Sequence, residues 1–277
     1  MTLPPGATGA RRVGGGDINE AFRVTLADGR EAFVKTRSET IPGEYAAEAA
    51  GLRWLAEPGL VRTPAVLELD EAYLALEWIE PGGLSAEGAE ELGRALAGTH
   101  LAGAEQFGAP PGAPPETGFG SLRLPNEPTA DWPSFYAQRR LLPLARIARE
   151  RSSLSEAGAR AVARVCERIG DLCGPPEPPS RLHGDLWGGN VMGGADGRAW
   201  LIDPSCYGGH REVDLAMLRL FGAPSQRIFD AYEEAAPLAA GAGDRVELYQ
   251  LAPLLVHAAL FGGSYGAAAE RAARRYV

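Results

Sequence analysis

The segment RLHGDLWGGNVM, Arg181 to Met192, holds residue types that can do chemistry together. Asp185 and Asn190 stand five residues apart, among three glycines. The run has too much glycine for a helix and is too polar for a buried strand. It is typical of a tight loop that presents an acid and an amide on one exposed edge.

A second carboxylate follows at a spacing that suits a metal site. The extended runs Val191–Met192 and Arg198–Ile202 flank GGADG and predict a β-hairpin. Folding about position 196.5 brings Asn190 opposite Asp203, with Cβ atoms about 4.5–5.5 Å apart. An amide oxygen and a carboxylate at that distance can share a hard cation such as Mg²⁺. Asn190 and Asp203 are therefore predicted metal ligands, and Asp185 is left to meet a substrate hydroxyl.

One basic residue differs in type from all the others. Lys35 is the single lysine among 27 basic residues, and the remaining 26 are arginines. A lone lysine can survive by chance in an arginine-biased composition. Alternatively, its site needs a compact ammonium that a planar guanidinium cannot replace. Composition alone leaves both interpretations open.

The elements that must carry these residues fall into two groups. Extended runs around Asp28-Gly29 predict a hairpin whose second strand ends at Lys35, followed by a helix over Pro42–Glu57. Two more strands precede a break at Pro81–Gly83, so this part is β-β-α-β-β. Helices dominate from residue 85 onward, apart from the central hairpin and a Pro/Gly-rich loop over Gly108–Pro128.

The order of these features predicts a kinase-like phosphotransferase. Phosphoryl transfer from ATP in kinases uses a fixed series of features, and this chain has them in order. They are a glycine-rich turn, a strand lysine, a helix glutamate, a joint, H-x-D-x-x-x-x-N and a later aspartate. No G-x-x-x-x-G-K-[ST] run exists, which excludes a Walker-type NTPase. We expect an α+β, two-lobed protein-kinase-like fold. Its N-terminal antiparallel-sheet lobe should span 1–83, with a hinge at about 76–83, and its mainly helical lobe 84–277.

The composition of the chain limits the classes of partner that it can bind. The net charge is −9, which argues against general binding to nucleic acid or to an anionic membrane. No run approaches the length of a membrane span, and the start lacks the apolar stretch of a signal peptide. Three cysteines without a CxxC pair favour reduced thiols in the cytoplasm. The oligomeric state stays open.

Longer motifs point to one family. HGDLWGGNVM, LIDPSCYGGHREVDLAML, GGGDINEAF and LFGGSYG resemble the fructosamine kinase (ketosamine 3-kinase) family, in the aminoglycoside phosphotransferase-like branch of the protein-kinase fold. The resemblance implies ATP- and Mg²⁺-dependent phosphorylation of the 3-hydroxyl of a ketosamine, such as ribulosamine or fructosamine. The substrate would be a small molecule or a glycated protein lysine, and the role would be deglycation. One departure is Pro125-Asn126, where the family usually carries a glutamine.

The resemblance also implies roles for single residues. Asp185 is the catalytic base and Lys35 the phosphate lysine, paired with Glu48 in preference to Glu44 one turn earlier. Backbone groups of Glu77 and Ile79, in the hinge, should bond adenine. The residues expected to cover the nucleotide are Gly15, Gly16, Asp17, Ile18 and Asn19.

Other polar and aromatic residues have less defined roles. Trp187 either packs under the catalytic loop or lines the sugar pocket, and the neighbouring acceptor candidates are His210, Arg211 and Glu212. His183 and Asp214 are expected to brace the catalytic loop, and His100 to lie in the core. For Tyr249, His257 and Tyr265, a pocket floor and a helical core stripe are both open.

Two rival functions remain. One is another small-molecule kinase of the same branch, acting on an aminoglycoside or a choline-like amine. The other is a non-catalytic, kinase-shaped binding module, against which every expected catalytic residue is present.

Overall fold

The N-terminal part of the chain is a twisted antiparallel sheet with one helix. The computed structural model describes residues 2–14, 20–38 and 41–277, so the predicted nucleotide-covering turn, Gly15 to Asn19, lies outside the described residues. Five strands are ordered β1-β2-β3-β5-β4 and every neighbouring pair is antiparallel. The elements are β1 (Thr8–Val13), β2 (Glu20–Thr25), β3 (Glu31–Thr36), α1 (Glu44–Ala56), β4 (Val66–Leu69) and β5 (Tyr73–Glu77).

This sheet confirms most of what the sequence predicts. The hairpin turns at Gly29, whose φ of +85° suits glycine. Helix α1 lies within the predicted range 42–57 and packs Tyr45, Ala49 and Leu52 against Leu74 and Leu76. Strand β1 was not predicted, because it is almost wholly exposed and shows no apolar alternation.

The rest of the chain is mainly helical, as expected. Helix α2 follows the linking segment, and one large apolar core then joins α4, α5, α9 and α10. The helices are α2 (Ala86–Ala102), α3 (Trp132–Phe135), α4 (Leu142–Glu150), α5 (Glu156–Glu167), α6 (Ile169–Leu172), α7 (Glu212–Leu220), α8 (Arg227–Ala235), α9 (Ala242–Phe261) and α10 (Tyr265–Arg274). The short strands are β6 (Glu116–Phe119), β7 (Leu122–Pro125), β8 (Ser180–Leu182), β9 (Val191–Gly193), β10 (Ala199–Leu201) and β11 (Tyr207–Gly209).

The central hairpin β9–β10 forms as predicted, but its register differs by one residue. Leu201 pairs with Val191, and the Ile202 amide donates to the Asn190 carbonyl at 3.1 Å. Asn190 therefore lies opposite Ile202 and not opposite Asp203. The cause is a three-residue turn closed by Gly197 with φ +78°, which centres the hairpin on position 196.

The same hairpin supports the segment that joins the sheet to α2. The Gly82 amide donates to the Gly193 carbonyl at 2.8 Å, and the Ala195 amide to the Glu80 carbonyl at 2.9 Å. A Cβ on Gly82 would lie 2.4 Å from the Gly194 carbonyl oxygen, so only glycine permits this approach. The joint is thus tied directly to the strands that follow the candidate catalytic loop, His183–Asn190.

The predicted Pro/Gly-rich loop contains a hairpin, β6–β7, that the sequence did not indicate. Its four-residue strands are too short to show a period. Arg123 donates to the Pro42 carbonyl, just before α1, at 2.6 Å, and the Ser205 hydroxyl donates to the Gly118 carbonyl at 2.5 Å. The hairpin therefore bridges the start of α1 and the segment after Asp203.

A single π-helical turn, Tyr136–Leu141, interrupts the helix between α3 and α4. Such turns are rare, and they frequently occur at functional sites. This turn directs Arg140 into the interior, and Arg140 is only 1% exposed.

Within the part of the chain that the structure describes, no helix is both long enough and apolar enough to cross a bilayer.

Candidate active site

Lys35 lies at the centre of the candidate site, between two carboxylates. Its Nζ donates to Glu48 Oε1 at 2.8 Å and to Asp203 Oδ1 at 2.5 Å. Glu44, the alternative partner, instead pairs with Arg37 at 2.9 Å. Strand β3, helix α1 and the segment after β10 thus meet at one ammonium group, whose side chain is only 8% exposed.

The electrostatics keep this lysine charged. Burial opposes the ammonium, but the negative charges of Asp203 and Glu48 outweigh it and raise the pKa of Lys35. Burial raises the pKa of Glu48, against the attraction of Lys35. Lys35 contacts two carboxylates. If Asp203 turned to a divalent cation and Lys35 to the ATP phosphates, Lys35 would still keep Glu48 as a partner.

The candidate catalytic loop brings Asp185 and Asn190 together through a short 3₁₀ turn, Gly188–Asn190. The Asn190 side-chain amide donates to the Asp185 carbonyl at 2.8 Å and to its Oδ2 at 3.2 Å. Burial, with the nearby charge of Asp203, raises the pKa of Asp185 to about 7. A carboxyl group with that pKa can accept a proton from a hydroxyl near neutral pH.

Asp214, on α7, anchors the loop as expected. Its two carboxylate oxygens accept the backbone amides of His183 at 2.8 Å and Gly184 at 2.9 Å. Burial opposes its charge, but hydrogen bonding from His100 and the loop amide lowers the pKa of Asp214. Gly184 has φ +81°, and a Cβ there would lie 2.1 Å from the Ser205 carbonyl oxygen, which explains the glycine in HGD.

His183 and His100 also have structural positions. His183 Nε2 lies 3.0 Å from the Ile202 carbonyl, while its Nδ1 accepts the Asp185 amide at 3.3 Å. It therefore ties the loop to the end of β10. His100 is buried between the Tyr232 hydroxyl and Asp214, a core position as predicted.

Asp203 has an unusual backbone. Its φ is +57°, in the left-handed region that is uncommon for residues other than glycine. Its side chain is 43% exposed, far more than that of Lys35. The Asn190 side-chain amide lies 3.5 Å from the Asp203 carbonyl, so the two predicted ligands are neighbours despite the shifted register.

The donor set fits Mg²⁺. Among the described residues, no hydrogen bond reaches Asn190 Oδ1 or Asp203 Oδ2. A neutral amide oxygen and a carboxylate oxygen are hard ligands, and Mg²⁺ is held in proteins by one or two such groups plus phosphates and water. Asn190 and Asp203 would therefore hold the ion.

The expected adenine contacts differ in availability. The Glu77 amide donates to the Ala65 carbonyl at 2.8 Å, which leaves its carbonyl as the candidate. Within the described ranges, the backbone of Ile79 makes no hydrogen bond. Ile79 can therefore offer both of its backbone groups.

The structure places three acceptor candidates in the interior. His210, Arg211 and Glu212 are all buried. Arg211 pairs with Glu177 at 2.9 Å, and Glu212 pairs with Arg245 at 2.5 Å. Burial lowers the pKa of His210 to about 4, so it stays neutral. These buried side chains stabilise the junction around the start of α7, so the structure does not support them as acceptor contacts.

Trp187, in contrast, faces outward at the catalytic loop. It is 41% exposed, and its amide donates to the Asp185 carbonyl at 3.1 Å. Its ring meets Phe221 edge-on at 6.5 Å, and Phe221 lies 4.4 Å from the His257 ring, which contacts Tyr265 at 5.1 Å. We name these four side chains the aromatic wall. Phe221 was not predicted, because it follows the last turn of α7 and belongs to no recognised motif.

Two further residues are assigned by their burial. Tyr249 is a core residue that donates to the Cys173 carbonyl at 2.6 Å, so it is not a pocket floor. Asn126, at the departure from the family pattern, is buried and bonds Arg140 and the Cys206 carbonyl. A substrate contact from Asn126 is therefore excluded in this arrangement.

Lys35→Arg tests whether the site needs a compact ammonium. A planar guanidinium cannot keep both contacts of 2.8 and 2.5 Å in the space of one nitrogen. Since a misplacement of about 1 Å can lower a rate on the order of a hundredfold, we expect kcat/KM for ATP-dependent transfer to fall at least about tenfold. Steady-state kinetics measure this, and a nucleotide-free melting curve close to that of the wild type is the control. Wild-type kinetics would make the lone lysine an accident of composition.

Comparisons with known proteins identify relatives of this chain. The family model described as fructosamine kinase matches residues 4–277. A "Probable ketoamine kinase" from Lactiplantibacillus plantarum is 36% identical over 271 residues, 95% of this chain and 92% of its own. One of the same name from Thermus thermophilus is 38% identical over 258 residues, 93% of this chain and 90% of its own.

Solved structures agree in fold. A crystal structure of a candidate fructosamine-3-kinase from Thermobifida fusca superposes with a TM-score of 0.89 at 43% identity, covering 97% of this chain and 94% of its own. The choline kinase LicA from Streptococcus pneumoniae superposes with a TM-score of 0.60 at 15% identity, covering 97% and 92%. The latter likeness shows the protein-kinase-like fold alone.

Proposed function

We propose that this chain phosphorylates the 3-hydroxyl of a ketosamine. The proposal starts from its family: the chain belongs to the fructosamine kinase family and is an ATP-dependent kinase. Ribulosamine and fructosamine adducts are the acceptors, on small amines or on protein lysines. Phosphorylation destabilises the adduct, so the role is deglycation. The reaction belongs in the cytoplasm, where the three free cysteines stay reduced.

One observation carries the proposal: Asn190 bonds the Asp185 carboxylate, Asp203 bonds the Lys35 ammonium, and these two metal-ligand candidates are neighbours. Asp185 accepts the proton of the acceptor hydroxyl, since burial raises its pKa to about 7. Lys35 binds the phosphates, and Glu48 keeps Lys35 in position. Asn190 and Asp203 would hold Mg²⁺, which would neutralise part of the phosphate charge.

The nucleotide lies between the lobes in this proposal. The hinge at 76–83 offers the Glu77 carbonyl and the Ile79 backbone to adenine. Residues 1–83 then act as the nucleotide-binding lobe and 84–277 as the lobe for the acceptor. Gly15 to Asn19 cover the phosphates, as the resemblance implies.

The aromatic wall is the proposed acceptor surface. Trp187 adjoins Asp185 in the loop, so a sugar stacked on its ring has a hydroxyl near the base. A ketosamine carries a protonated secondary amine beside its sugar. An indole face attracts such a cation, with a free energy of about 0.5–2 kcal/mol.

Trp187→Ala should raise the KM for a ketosamine by about three- to tenfold, because the stacking and cation–π contacts are lost. The KM for ATP should stay within twofold of wild type. Trp200→Ala is the matched control, because that indole lies on β10 and packs against the Arg62 guanidinium, 4.1 Å from the centre of its ring. An unchanged ketosamine KM in Trp187→Ala would remove the aromatic wall from the acceptor site.

The function itself is tested by phosphate transfer from ATP to a panel of acceptors. Fructosamine, ribulosamine, kanamycin and choline are compared at equal concentration. We expect a ketosamine to have the highest kcat/KM, with the phosphate on the 3-hydroxyl by NMR. Preference for kanamycin or choline would favour the rival kinase function, and no transfer to any acceptor would favour the binding module.

A further inference from the structure

Arg140 is a buried cation without a carboxylate partner. It is 1% exposed, and in the described part of the chain no acidic oxygen lies within 4.0 Å of its guanidinium. Burial lowers its pKa, as expected for a charge removed from water. An unpaired buried charge is strongly destabilising, so the presence of Arg140 on a rare π turn suggests a specific role.

The contacts of Arg140 show what it holds. One guanidinium nitrogen donates to the Pro125 carbonyl at 2.8 Å, and the other to Asn126 Oδ1 at 2.7 Å. The guanidinium lies 4.1 Å over the Tyr207 ring. Asn126 in turn donates its side-chain amide to the Cys206 carbonyl at 3.3 Å. Arg140 thus orients an amide whose only donor group bonds the segment after Asp203.

That segment needs external support. Asp203 has φ +57°, and such a conformation persists only where the surroundings over-determine it. The residues that follow Pro204 are tied down one after another. Ser205 bonds the His183 and Gly118 carbonyls, Cys206 bonds Asn126, and Tyr207 lies under Arg140.

We propose that Arg140 and Asn126 are positioning residues, which hold the Ser205–Tyr207 segment and thereby direct the Asp203 carboxylate toward Asn190 and Lys35. The inference rests on the proposed role of Asp203 as a metal ligand. The side-chain amide of Asn126 spans the gap between the Arg140 guanidinium and the Cys206 carbonyl.

Asn126→Asp separates this role from a purely structural one. The carboxylate keeps the Arg140 contact and gives the buried cation a counter-charge, so the melting temperature should equal or exceed that of the wild type. It cannot donate to the Cys206 carbonyl and repels that oxygen. We expect amide hydrogen exchange in residues 203–207 to quicken about tenfold without nucleotide. Affinity for Mn²⁺ with ADP, measured by electron paramagnetic resonance, should fall about five- to tenfold.

The matched control is Tyr136→Phe, on the same π turn. Its buried hydroxyl bonds the Leu248 and Tyr249 carbonyls, away from Asp203. It should lower the melting temperature and leave Mn²⁺ affinity and exchange at 203–207 unchanged. If Asn126→Asp does not fold, Arg140→Gln is measured in its place with the same expected losses.

The outcomes are distinct. Wild-type exchange and Mn²⁺ affinity in Asn126→Asp would overturn the positioning role, and an equal loss in Tyr136→Phe would reduce it to general destabilisation. Asp203→Asn is measured beside them. If Asp203→Asn retains wild-type Mn²⁺ affinity, the metal role of Asp203 fails. If it loses affinity while Asn126→Asp does not, only the positioning inference fails.

Discussion

Asp185→Asn is expected to lower the turnover of phosphate transfer by about 10²–10⁴-fold, the usual contribution of a positioned general base. Asparagine has the same shape but cannot accept the hydroxyl proton. Its amide can still meet Asn190, 3.2 Å from the replaced oxygen, so the affinity for ATP should stay within a few-fold of wild type. Single-turnover kinetics and nucleotide titration separate the two effects. Turnover within a few-fold of wild type would remove Asp185 from the mechanism.

The same variant provides its own folding control through pH. The pKa of Asp185 rises on folding from 3.8 to about 7, mainly through burial. Its contribution to stability is therefore fully present below pH 3.8 and is lost as the pH rises toward 7. Asparagine never ionises, so without metal and nucleotide the variant should melt above the wild type at pH 8, by about 3 °C or more. The gap should narrow at pH 5. A variant that melts lower at pH 8 would contradict the raised pKa and make its rate loss uninformative.

Asp203→Asn should lower Mg²⁺-dependent turnover on the order of a thousandfold. A metal ion contributes several kcal/mol of charge stabilisation in the transition state, and each 1.4 kcal/mol is tenfold in rate. Asparagine tolerates the φ of +57°, so the backbone is kept while the anionic ligand is lost. Turnover is measured across a Mg²⁺ titration, where excess Mg²⁺ should recover only a small part of the rate.

Asp196→Asn is the matched control for this experiment. Asp196 is an exposed carboxylate on the turn of the same hairpin, paired with Arg62 at 2.7 Å. Surface pairs of this kind contribute little, so turnover and Mg²⁺ dependence should stay at wild-type values. Normal Mg²⁺ dependence in Asp203→Asn would contradict its assignment as a ligand.

Much of the site could be predicted because it is encoded locally. Asp185 and Asn190 share one short loop, so their spacing alone indicates that they meet. Lys35 and Glu48 lie on consecutive elements, and their contact follows once β3 and α1 are recognised. The order of elements limits the fold in the same way, since each of the predicted elements has a clear period or turn signal.

The remaining features depend on contacts between distant segments. The register of β9–β10 is set by a left-handed glycine in the turn, and the strand pattern does not reveal it. Arg211 is buried because it pairs with Glu177 and bonds the carbonyl just after α8, and both partners are far from it along the chain. The β6–β7 hairpin acquires order from Arg140 and Ser205, outside its own strands. Local sequence propensities do not predict such contacts between distant segments.

The single lysine has a consequence for the enzyme's own chemistry. Sugars modify proteins by condensing with an unprotonated amine, and Lys35 offers the only side-chain amine in this sequence. That amine is enclosed by two carboxylates, and its raised pKa keeps it protonated. Arginine supplies every other positive charge, so the surface stays cationic in places without presenting a lysine to a reducing sugar. The enzyme that is proposed to repair glycated lysines is thereby almost free of lysine glycation on its own side chains.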